Sequence, residues 1–332
     1  MFSFVWPIKK SIDVNRERSI IGNLSIGIAS VSFFVFLAQL VILVFLGIFL
    51  PDLAFTPMSL LIIDAVTMYG IAMPCALIYF KRCPTSKHEE RPLGFLMMIC
   101  AILISFAVFY LGGILGSRAD ELAADLFGRK TINPVANTVE QTSLLETLLF
   151  VVLLAPIAEE IFYRKVFIDR LRRYGDVPAI LISGLVFGLI HGNLNQFFYA
   201  AMLGIVFGAV YVYTGRLRYT IFLHILINFM GTFYTSLMLE KLGGGLPDVI
   251  TPEFIAEHPV GYQMATAFSL LYTVSLYLAI PALFYFLTKF TPKKGVVTLV
   301  GEDSRNVVLK SPGFWLGLLY LVGSFALGIV GI

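Results

Sequence analysis

The chain has 332 residues, of which 58% are hydrophobic and 14% charged, and its mean hydropathy is +0.87. Soluble domains run near half apolar and a quarter charged, so this composition excludes an ordinary water-soluble core and shell. The net charge of +3 is too small to point to nucleic acid, and the spacing of Cys75, Cys83 and Cys100 indicates neither a disulfide framework nor a zinc ribbon.

In lipid only helices and closed barrels satisfy the backbone. The apolar runs here are long and continuous rather than alternating, which favours helices. About nine of them approach the length needed to cross a bilayer of roughly 30 Å. In chain order they lie near 24–50, 58–80, 93–117, 143–168, 177–192, 196–214, 219–239, 265–289 and 312–332. The fifth and sixth are short, so eight or nine helices are expected. The predicted fold is an all-α, polytopic bundle, read as one membrane domain over 1–332.

Basic residues alternate between the connections. Lys9, Lys10, Arg16 and Arg18 precede the first run, and Lys81, Arg82, Lys87 and Arg91 follow the second. Arg170, Arg172 and Arg173 close the fourth, Arg216 and Arg218 separate the sixth and seventh, and Lys293 and Lys294 follow the eighth. The remaining connections are neutral or acidic on balance. The positive-inside rule then places the N-terminus in the cytoplasm, with the protein in the cell membrane. No cleavable signal peptide is expected, because the first apolar run is long enough to span. Residues 118–142 read as a longer external segment, either a solvated connection or one in which 119–127 lies on the membrane surface.

Ionisable groups within spans cost a few kcal/mol each and are candidates for function. They gather in the middle of the chain. The fourth run carries Glu159, Glu160 and Arg164, the fifth Phe187 and His191, and the seventh His224 and Asn228. The chain has only four histidines, and two of them fall in these runs. Asp64 and Glu146 are weaker candidates. Asn193, Asn195 and Gln196 are expected to cap the helices around a tight turn.

Helical spacing assigns roles. Glu160 and Arg164 share a face and pair, each neutralising the other at low dielectric. Glu159 lies about 100° around the helix and stays free of that pair. His191 is then its expected partner across the interface, and a carboxylate with an imidazole can hold and deprotonate water. His224 and Asn228 share a face and present two donors that suit an oxyanion. Such a set reads as peptide-bond hydrolysis without a covalent intermediate. Two small-residue pairs, Gly184/Gly188 and Gly204/Gly208, let helix backbones approach. One tension stands in this reading: counted from the basic ends, His224 lies about 9 Å deep, but Glu159 and His191 lie about 20 Å deep.

The order EExxxR, FxxxH, HxxxN on successive apolar runs resembles the CAAX prenyl protease and bacteriocin-processing (CPBP) family, over roughly 148–228. The resemblance implies a metal-independent intramembrane glutamic protease with its core at 143–240. It implies that Glu159 and His191 activate water, that His224 and Asn228 stabilise the oxyanion, and that Glu160, Arg164 and Phe187 support them. The implied substrate is a membrane-associated or lipidated, CAAX-like protein or peptide. No cofactor is expected. Zinc held by Glu159, His191 and His224 is the rival, but there is no HExxH helix and Asn228 suits an oxyanion better than a metal. A non-catalytic immunity or scaffold protein of the same fold is a second alternative. A proton-coupled transporter is a third; it calls for inverted repeats, which the sequence does not show.

Overall fold

The computed structural model describes residues 13–86, 89–128, 141–295 and 305–330. Nine helical columns dominate the described residues, beside short helices such as Pro51–Ala54 and Pro252–Glu257: α1 (Val14–Phe49), α2 (Pro57–Phe80), α3 (Phe95–Phe127), α4 (144–171), α5 (Asp176–Leu189), α6 (Leu194–Thr214), α7 (Leu217–Lys241), α8 (Pro259–Lys289) and α9 (Pro312–Val330). No β-strand occurs among them. Seven of these helices are long and apolar enough to cross a membrane, and α5 is a shorter apolar helix of 14 residues. The chain is a polytopic, all-α integral membrane protein.

Local chemistry sets the helix ends. Asp13 caps α1 through the Arg16 amide (3.1 Å). Thr56 caps α2, with Pro57 in the first turn, where a missing N–H costs nothing. Ser143 and Glu146 close a reciprocal capping box at the start of α4. Asn193 caps α6 through the Gln196 amide and also donates to the Gln196 side chain and the His191 carbonyl. The tight turn before it passes through Gly192 at φ +70°, a conformation that a β-carbon would strain.

The segment 119–127 is helical, and Leu122, Leu126 and Phe127 on it are exposed. It continues α3 without a break as far as Gly128, which adopts φ +69° and ends the helix. Residues 118–127 contain no proline or glycine to interrupt the hydrogen-bond ladder. Residues 129–140 of the expected external segment lie outside the described residues.

The bundle has two apolar cores with α6 between them. One gathers α1, α2, α4, α5, α6 and α9 around Phe80, Phe162, Tyr163, Phe187 and Tyr211. The other gathers α3, α6, α7 and α8 around Phe106, Phe207, Leu223 and Tyr272. Glycine lets α5 and α6 touch backbone to backbone: a β-carbon on Gly204 would lie 2.8 Å from the α-carbon of Gly184, and one on Gly188 would lie 2.8 Å from the β-carbon of Ala201. A β-carbon on Gly184 itself would meet Ile205 Cγ1 at 2.5 Å. Gly184→Val therefore lowers stability by about 1–3 kcal/mol through overpacking. Thermal unfolding in detergent checks this, and an unchanged midpoint would contradict the close approach.

The basic end of the bundle is tied by buried polar contacts. Glu17 at the start of α1 accepts Arg173 and the Tyr174 hydroxyl (3.0 Å). Arg172 binds Asp176 (2.6 Å), and Asp176 also accepts the Lys293 amide (2.8 Å). Tyr211 donates to Asp169 (2.9 Å), and Arg170 to the Phe80 carbonyl (2.9 Å). These contacts fix the ends of α1, α2, α4, α5 and α6 against one another and so set the depth of the residues further along each helix.

Candidate active site

Glu160 and Arg164 form the anchor. Arg164 donates Nε to Glu160 Oε2 (2.9 Å) and Nη2 to Oε1 (3.1 Å), and both side chains are fully buried. The bidentate geometry suits a guanidinium and a carboxylate. The remaining Arg164 nitrogen donates to Ser183 Oγ on α5 (3.1 Å), and Ser183 passes its own proton to the Tyr163 carbonyl (3.2 Å). The guanidinium also lies over the Phe187 ring, 5.3 Å from its centre.

His224, on α7, leans on this anchor. Its Nδ1 is 3.1 Å from Glu160 Oε1. A carboxylate paired with arginine only accepts, so Nδ1 carries the proton and Nε2 is left for the site. That Nε2 lies 3.8 Å from Glu159 Oε2. The side chains expected at different depths thus meet, because α5 and α7 both pack on α4.

Glu159 is free of the arginine, as its helical position requires. Its Oε1 accepts the hydroxyl of Tyr69 on α2 (3.1 Å), and its Oε2 faces His224. The side chain retains 17% exposure, enough for a water or a reacting group to approach one oxygen.

His191 is placed differently from its expected pairing. Its Nδ1 is 2.7 Å from the Phe187 carbonyl, four residues back on the same helix. A carbonyl only accepts, so this nitrogen is protonated and Nε2 remains available. No direct bond joins His191 to Glu159 among the described residues; the imidazole nearest that carboxylate is His224. Asn228 has one amide hydrogen committed to the Val151 carbonyl (2.9 Å), leaving its second for the site. The structure therefore gathers Glu159, Glu160, Arg164 and His224 by direct contact, and sets His191 and Asn228 on backbone acceptors beside them.

Phe187 is the common wall. Its ring makes edge contacts with Tyr163 (5.0 Å), His191 (5.1 Å) and His224 (5.7 Å). Phe207 on α6 closes the other side of His224 at 5.4 Å. Helical turns widened to the π form surround the site: Val66–Ala72 holds Tyr69, Thr147–Leu154 holds the Val151 carbonyl, and Ile161–Ile168 and Phe229–Tyr234 begin one residue after Glu160 and Asn228. Such turns recur at functional sites because they shift side chains off the regular register.

Tyr69, Ser183 and Phe207 belong to this site, and the sequence reading did not find them. Asp64 does not join it by direct contact. Its carboxylate accepts Gln39 of α1 (3.3 Å) one turn outward. Among the described residues no group of three histidine, cysteine, aspartate or glutamate side chains is arranged to hold a metal ion.

Residues 141–230 match the family model described as type II CAAX prenyl endopeptidase Rce1-like. Over this segment the chain is similar to that family. The segment holds every site residue named above except Tyr69, which α2 contributes from outside it. The chain is also 29% identical over 161 residues to a Bacillus subtilis (strain 168) protein named "Putative membrane peptidase YdiL". That match covers 48% of this chain and 63% of the relative, so the chain spans less than two-thirds of the relative's length. No solved structure matches the chain.

Proposed function

We propose that the chain is an intramembrane endopeptidase that hydrolyses a peptide bond with water activated by Glu159. The observation that carries this reading is the carboxylate–imidazole contact of Glu159 and His224, with His224 anchored on the buried Glu160–Arg164 pair, inside a segment that matches an endopeptidase family. Water on Glu159 attacks the substrate carbonyl, and Glu159 takes its proton and later gives it to the leaving amine. His191 Nε2 accepts the water's other hydrogen. The second N–H of Asn228 and a protonated Nε2 of His224 face the oxyanion. Glu160, held by Arg164, stabilises the doubly protonated His224 that this step needs, as a carboxylate does for an imidazolium in other hydrolases.

The substrate in this proposal is a membrane-associated peptide, lipidated at its C-terminal end, that enters from the basic side of the bundle. The protein sits in the cell membrane with its N-terminus in the cytoplasm. The basic connections support this orientation, and no metal takes part in the step.

The test uses protein purified into lipid vesicles with two reporter peptides ending in a CAAX sequence, one farnesylated and one not. Cleavage that persists with a chelator supports the reading, and a preference for the farnesylated peptide supports the substrate class. Loss of cleavage on chelation with recovery on added zinc would overturn the metal-independent mechanism. A folded protein that cleaves neither peptide would overturn the substrate assignment.

A further inference from the structure

Two phenols crowd the free carboxylate. Tyr69 reaches from α2 and donates to Glu159 Oε1 at 3.1 Å. It is partly buried, lies in the widened turn Val66–Ala72 and stands outside the endopeptidase-like segment. Tyr163 follows Glu159 by one helical turn on the same face of α4. Its side chain is 1% exposed, and its ring is fixed edge-on by Phe162 (5.2 Å) and Phe187 (5.0 Å). Its hydroxyl is buried and has no hydrogen-bond partner among the described residues. It lies near enough to both Glu159 and Tyr69 to interact with them electrostatically.

A buried hydroxyl without a partner costs about 1–3 kcal/mol, and phenylalanine would fill the same space without that cost. A group kept at such a cost beside a reactive carboxylate marks a place for a small polar guest. The groups gathered there are a carboxylate, a donor already committed to it and a hydroxyl with no partner among the described residues. That chemistry fits one water molecule, which needs two to four polar partners.

We propose that Tyr69 and Tyr163 complete the water site on Glu159. Tyr69 is a positioning residue: by occupying Oε1 it fixes the carboxylate and leaves Oε2 to the water and His224. Tyr163 touches the water itself, accepting or donating through its hydroxyl. The water thereby sits on Glu159 before substrate arrives, and attack needs no rearrangement of the base. This proposal rests on the endopeptidase reading.

The test compares wild type, Tyr69→Phe and Tyr163→Phe, reconstituted in vesicles with the farnesylated CAAX reporter. Both variants keep their rings; Tyr163→Phe is expected to unfold at or above the wild-type temperature and Tyr69→Phe, which loses its bond to Glu159, slightly below it. Each should lose about 10- to 100-fold in kcat, the cost of one hydrogen bond to a charged or reacting group, with KM unchanged. Infrared spectra of the same proteins without substrate give an independent readout. The Glu159 carboxyl band, identified by its loss in Glu159→Gln, should shift in Tyr69→Phe. A kcat within twofold of wild type in Tyr69→Phe, or an unmoved carboxyl band, would overturn the positioning role. A wild-type kcat in Tyr163→Phe would overturn its contact with the water. If folded wild type cleaves nothing, the endopeptidase reading fails and the kinetic roles fall with it, while the infrared shift still decides whether Tyr69 holds Glu159.

Discussion

Glu159→Gln silences cleavage, lowering kcat/KM by about 10²–10⁴ while the protein still folds. The substitution conserves shape, and the amide oxygen can still accept from Tyr69, whose hydroxyl reaches Oε1 in the wild type. The loss is therefore chemical. An amide cannot take a proton from water or return it to a leaving amine, and the imidazoles do not replace it: His224 serves as a donor beside Glu160, and His191 Nε2 accepts only the water's other hydrogen and has no direct bond to Glu159 among the described residues. Steady-state cleavage of the CAAX reporter measures the effect. A variant that kept a tenth or more of the activity would remove Glu159 from the role of base.

Arg164→Met produces the largest loss of stability. Arg164 and Glu160 are both fully buried, and arginine supplies two of the contacts to that carboxylate. Removing one partner of a buried pair costs about 3–5 kcal/mol, because the other charge stays buried and uncompensated. Ser183 also loses its arginine partner, and Glu160 is left with His224 alone. Adding Glu160→Gln to the same protein should recover much of the stability, since no unpaired carboxylate remains. Activity should stay low in the double variant, because the imidazole no longer leans on a carboxylate. Unfolding midpoints of the single and double variants decide the matter. Equal midpoints for both would mean that the pair carries no buried charge penalty.

The bundle was largely legible because its causes are local. Long apolar runs must be helices in lipid, and the basic connections mark their ends. The Glu160–Arg164 pair was equally legible, since spacing along one helix dictates that the two residues meet. The close approach of α5 and α6 followed from Gly184, Gly188 and Gly204 for the same reason.

What spacing cannot give is the rotation of one helix against the next. His191 reads from the sequence as the partner of Glu159, whereas the imidazole in direct contact with that carboxylate among the described residues is His224, which α7 brings against α4. Tyr69 was invisible for a different reason. It is one of 15 tyrosines, in a span with no motif, and only the packing of α2 on α4 brings it to the carboxylate. That residues 119–127 continue α3 itself is not visible in the sequence, because charged residues end the apolar run near 117, whereas an unbroken backbone ladder carries the helix outward.

The 14 residues of α5 span only ~21 Å, well short of a hydrocarbon layer of roughly 30 Å. Its outer flank, with Val177, Leu181, Ile182 and Leu185 exposed, nevertheless faces lipid. Acyl chains beside it must compress or tilt, at a fraction of a kcal/mol per ångström of mismatch. The bilayer is thus pinched at the wall of the site itself. Membranes of thinner composition then hold this helix with less deformation than thicker ones.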